Sequence, residues 1–85
     1  MAEIDLTKSW SLRARRYLKR KLKEKEITYP VLAELMQTQK LYDDRTTRET
    51  AQSIAHKLSR GTFSASFFLA VLAAIGVEQV QLKHV

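Results

Sequence analysis

Residues Thr46 to Gly61 read TTRETAQSIAHKLSRG. Thr46 followed three positions later by Glu49 has the form of a capping box, in which hydroxyl and carboxylate satisfy two orphan amides, so a helix is expected to start there. Ala51, Ile54, Ala55 and Leu58 recur at i, i+3, i+4 and i+7. They form one narrow apolar stripe and leave Arg48, Gln52, Ser53, His56 and Lys57 on the opposite side. Gly61 supplies a residue able to take the left-handed conformation that ends a helix. Small groups inside and amide, hydroxyl and basic groups outside suit a DNA major groove, whose base edges present donors and acceptors. The same pattern also describes an ordinary amphipathic surface helix.

Outward from this stretch, the chain has 85 residues, 45% of them hydrophobic, which suffices for one domain with one small core. Residues 1–85 are therefore read as a single domain: 1–7 a flexible N-terminus, 8–76 a helical core, 77–85 a tail. There is no cysteine, so disulfides and thiolate zinc sites are excluded, and the cytoplasm is the default location. No run approaches the roughly 18 apolar residues of a membrane span, and MAEIDLTKSW lacks the order of a signal peptide. The formal charge of +6 is concentrated: Lys8 to Glu26 holds nine basic and two acidic residues. Such a stripe fits a phosphate-bearing surface, an acidic protein or an anionic membrane.

That basic segment has no Gly or Pro and is rich in helix formers. Trp10, Ala14, Tyr17, Leu18 and Leu22 share one side, read as a core face. Arg16, Lys19, Arg20 and Lys23 occupy the other, with Arg13 and Arg15 at the flanks. Like charges at i, i+4 cost roughly 0.2–0.5 kcal/mol per pair, a repulsion that an anionic partner would neutralise. Ile27-Thr28-Tyr29-Pro30 reads as the next helix start, with Thr28 as N-cap, Pro30 in the first turn and Ile27 stapled to Leu32. Its stop is weakly marked and its end is left open, continuation toward Leu41 before a turn at Asp43-Asp44 being one reading. Ser64 caps a further helix running to about Ile75, apolar over most of its circumference and so expected to be the most buried, with Gly76 at its end. The tail VEQVQLKHV partly alternates, which favours a short strand, with a frayed helix as the alternative.

Catalysis finds little support: His56 and His84 are isolated, and neither a phosphate loop nor metal-ligand spacing occurs. No metal, cofactor or catalytic residue is expected. The order of elements from Ile27 to Val77 resembles the phage-repressor-like (Cro and Xre-type) helix-turn-helix domains, in the Leu32-Ala33 pair, the closing Arg60-Gly61 and the final Ile75-Gly76-Val77. More closely, KLSRGTFSASFFLAVLAAIGV is similar to a bacterial domain family of unknown function sharing K-[LI]-S-R-G and F-S-A-x-F-F-L signatures. Together these cover about three fifths of the chain. The repressors join their two helices by a turn of about three or four residues, whereas QTQKLYDDR separates Met36 from Thr46.

The resemblance implies that Arg48, Glu49, Gln52, Ser53 and His56 lie at or near groove-facing positions, and Lys57 shares their outward side. The chain thus reads as an all-α, four-helix, repressor-like helix-turn-helix domain with a short C-terminal strand, binding double-stranded DNA as a bacterial, plasmid or phage transcriptional regulator. Arg13, Arg15, Arg16, Lys19, Arg20, Lys23 and Arg60 are the expected phosphate contacts. The tail's strand edge suits completion by a second chain in a homodimer, and equally a tail that folds back on its own domain. The competing readings are a protein-interaction module, an adaptor or inhibitor whose basic first helix docks an acidic partner, and an RNA-binding protein using the same face.

Overall fold

Four helices follow one another in the computed structural model, which describes residues 6–39 and 49–85: α1 (Leu6–Glu24), α2 (Tyr29–Thr38), α3 (Ala51–Arg60) and α4 (Ala65–Ala74). The chain is all-α, with no strand among the described residues. The Asp43-Asp44 turn and most of the Met36–Thr46 connection fall outside them. α1 begins earlier than Lys8 and stops at Glu24. There Ile27 N–H bonds to the Leu22 carbonyl and Glu26 N–H to that of Lys23, with Glu26 itself at φ 55°. That is a Schellman end built on a residue other than glycine.

The cap of α2 is the expected one: Thr28 Oγ1 accepts from Val31 N–H at 3.4 Å and Pro30 sits in the first turn. This helix ends at Thr38 rather than running toward Leu41, and the Gln39 side chain bonds onward to the Ala74 carbonyl. α4 is capped by Ser64, whose Oγ accepts from Phe67 N–H at 3.0 Å. It closes through Gly76 at φ 81°, with Val77 N–H reaching the Leu72 carbonyl. α3 departs from expectation at its start. Its N-cap is Thr50, not Thr46, and the capping box pairs Thr50 with Ser53; Thr46 lies outside the described residues. Its C-terminal end is Gly61 at φ 72°, as expected.

α2 packs on α3 and α4, and α4 on α1. Leu18, Leu32, Met36, Ile54, Leu58 and Val71 are fully buried where these helices meet, each stabilising the fold by about 1.5–3 kcal/mol. Phe63 stacks on Phe68 at 6.4 Å, and Phe68 meets Tyr17 at 6.3 Å, so an aromatic chain links α1 to the α3–α4 link and α4. Two expectations about the core fail. Trp10 is 40% exposed, because the core face of α1 turns through Tyr17, Leu18 and Leu22 and leaves Trp10 at its margin. Leu69 on α4 is 62% exposed, because only one side of that helix meets α1 and α2.

The tail is not a strand. It folds back on α1 and ends in a single 3-10 turn, Leu82–His84. Arg13 Nε donates to the Val85 carbonyl at 2.9 Å and Arg20 Nη2 to that of His84 at 2.6 Å, while Val77, Val80 and Val85 pack against the core. Backbone carbonyls turned toward two guanidinium groups take bonds that a second strand would otherwise supply. The strand edge that suited completion in a homodimer is therefore absent.

Candidate functional site

The outward side of α3 is assembled by its N-terminal cap. Thr50 Oγ1 accepts from Ser53 N–H at 3.0 Å and Ser53 Oγ accepts from Thr50 N–H at 2.8 Å, so the first turn is closed without a glutamate. Glu49, expected outside, is 8% exposed. Its carboxylate accepts the Ser53 hydroxyl at 2.8 Å and pairs with the Lys57 ammonium, and its carbonyl accepts from Gln37 Nε2 at 3.3 Å. In a continuous helix residues eight apart lie about 12 Å apart along the axis. The break at Thr50 swings Glu49 back over the first turns and makes the ion pair reachable. Lys57 also lies 4.8 Å from the Phe67 ring centre.

Of the six residues expected to read bases, then, Arg48 lies outside the described residues. Glu49 is buried, and Ser53 and Lys57 are half-buried and joined to it. Gln52 and His56 are exposed as expected. Arg60, expected to touch phosphate, falls on their line at i, i+4 and i+8, and Thr50, which sequence reasoning missed, joins them. A shallow groove of about 410 Å³ is lined by Thr50, Gln52, Ser53, His56, Lys57 and Arg60. The Thr-x-x-Ser spacing from Thr50 to Ser53 was the available signal for the true cap, but Thr-x-x-Glu four residues earlier has the stronger form. Among the described residues, the one carboxylate at this surface is paired with Lys57, so what they present to solvent is amide, imidazole, hydroxyl and guanidinium.

The expected phosphate contacts divide as sharply. Arg13 lies 4.1 Å over the Trp10 ring and holds the Val85 carbonyl; Arg20 holds that of His84 and approaches Glu24 at 4.0 Å. Arg15 Nη1 donates to the Ser59 carbonyl at 3.2 Å, where the last carbonyls of α3 lack intrahelical partners, and its side chain runs beside Gly61. Arg16, Lys19, Lys23 and Arg60 are exposed, with no hydrogen bond or ion pair to another side chain or carbonyl among the described residues. Arg16, Lys19 and Lys23 lie at i, i+3 and i+7 and so share one stripe of α1.

Among the described residues, no group of three His, Cys, Asp or Glu side chains is placed to hold a metal ion, and no helix is long and apolar enough to cross a membrane. Residues 10–80 match the model of a family described as a domain of unknown function, DUF6471. No curated protein and no solved structure matches the chain.

Proposed function

The chain belongs to the DUF6471 family of domains of unknown function, and we propose, from the arrangement of its polar faces, that it binds double-stranded DNA as a repressor-like helix-turn-helix protein, a small transcriptional regulator. α3 is the reading helix in this proposal. Gln52, His56 and Arg60 stand on one exposed line, and eight residues of helix advance about 12 Å, the length of three to four base-pair steps. Glutamine pairs well with adenine and arginine with guanine in the major groove. Arg16, Lys19 and Lys23 of α1 are the phosphate contacts, positioning the protein without reading sequence.

The observation that carries the reading is the bond from Arg15 to the Ser59 carbonyl. It ties the basic helix to the C-terminal end of α3, beside Arg60, so that the two polar faces adjoin. The pairing of Glu49 with Lys57 supports it further, since an unpaired carboxylate on the reading side would repel phosphate.

Titration against duplex DNA, single-stranded RNA and polyglutamate at two salt concentrations tests the proposal. Duplex DNA should bind most tightly and lose affinity steeply with salt. Polyglutamate binding equal to duplex binding would replace this reading with capture of an acidic protein, and a preference for RNA would replace it with RNA binding.

A further inference from the structure

The tail after α4 is lightly attached. None of the residues of its closing turn, Leu82–His84, is buried, and Leu82, its largest apolar side chain, is 69% exposed. Apolar anchoring comes from Val77, Val80 and Val85, all half-buried. The turn is held to α1 by two bonds, from Arg13 Nε to the Val85 carbonyl and from Arg20 Nη2 to that of His84. A segment with few buried contacts and exposed hydrogen bonds opens at small cost, well before the protein unfolds.

The two arginines are seven residues apart and so stand almost above one another on α1, with Arg16 and Lys23 three residues beyond each on the adjoining line. They border the exposed stripe of Arg16, Lys19 and Lys23. Both tail bonds use the side-on edge of the guanidinium, Nε with Nη2, through which arginine grips a phosphate by two parallel N–H groups. On Arg20 the other half of that edge, Nε, approaches Glu24 at 4.0 Å, while Arg13 is drawn over the Trp10 ring. We propose that the tail is an autoinhibitory strap: closed, it keeps Arg13 and Arg20 out of the anion-binding face of α1, and its opening widens that face from three cations to five. This rests on the reading of α1 as the helix that contacts phosphate, and adds the regulation of that face.

Variants of the full chain that loosen the tail test it. Val80→Ser with Val85→Ser removes two apolar anchors; His84→Pro keeps the anchors and deletes the N–H that closes the turn on the Gln81 carbonyl. With duplex DNA, both should raise the slope of log K against log salt by about 0.9 for each of the two arginines gained, so that affinity falls about twelvefold more than the parent's between about 50 and 200 mM salt. Adding Arg13→Gln and Arg20→Gln should cancel that rise. Slopes that match the parent in both loosened chains, or a rise that survives the arginine substitutions, overturn the inference. Polyglutamate titrated alongside separates the two readings: binding as tight as that of duplex would end the DNA proposal, while a rise in slope that depends on Arg13 and Arg20, with either polymer, would still identify the strap.

Discussion

At Glu26 the chain takes a φ of 55°, a left-handed conformation that costs an L-residue roughly 1–2 kcal/mol and a glycine almost nothing. Glu26→Gly should therefore raise stability by about 0.5–1 kcal/mol after the unfolded-state entropy of glycine is subtracted; urea unfolding with no gain would show that Glu26 is not strained there. The Glu49 carboxylate is only 10% exposed and its Lys57 partner 40%. Lys57→Met strands that carboxylate and should cost about 1–2 kcal/mol, of which the double change with Glu49→Gln should recover part. The same geometry separates structural from reading residues on α3. Gln52→Ala, His56→Ala and Arg60→Ala should each leave stability within about 0.5 kcal/mol and, on the proposed reading, weaken a preferred duplex by roughly 1–3 kcal/mol. Ser53→Ala should instead lower the melting midpoint by loss of its cap, visible in thermal melts without DNA.

The helices differ in how much of their role the pattern of residues could carry. Four helices, the caps Thr28 and Ser64, and the ends at Gly61 and Gly76 were legible because each rests on local chemistry that acts within one turn. The end of α1 was not, because Glu26 takes a conformation normally left to glycine. Nor was the side on which α4 is covered: Leu69 and Phe67 are equally apolar, and only the placement of α1 and α2 buries one and exposes the other. Phe67→Ala or Leu72→Ala should cost about 2–5 kcal/mol, enough to unfold so small a protein, whereas melts that match the parent would show the core to be misplaced. On α1, like charge made all six basic candidates look alike until Arg13, Arg15 and Arg20 proved to hold backbone carbonyls. Replacing Arg16, Lys19 and Lys23 by Gln should therefore lower the slope of log K against log salt for duplex binding by about 0.9 each, with the fold intact.

Across the whole molecule, the tail is the segment least determined by its own residues, since its alternation suited a strand and its partner turned out to be the first helix. Arg13 and Val85 are separated by 72 positions and Arg20 and His84 by 64. A chain ending at Val77 loses these bonds and the packing of Val80 and Val85 on the core, and should be less stable by about 1–3 kcal/mol. Contacts so distant in sequence form only after α1 and the core that orients it exist, because the closure entropy of a long loop must be offset by what is already folded. Arg13 touches the ring of Trp10 while it holds the last residue of the tail. The indole is thereby an internal clock for chain closure: in refolding by dilution from denaturant, its fluorescence should keep changing after the helical signal in circular dichroism has levelled. Without residues 78–85 that late phase should vanish, and a trace unaltered by their removal would mean that closure leaves no mark on Trp10.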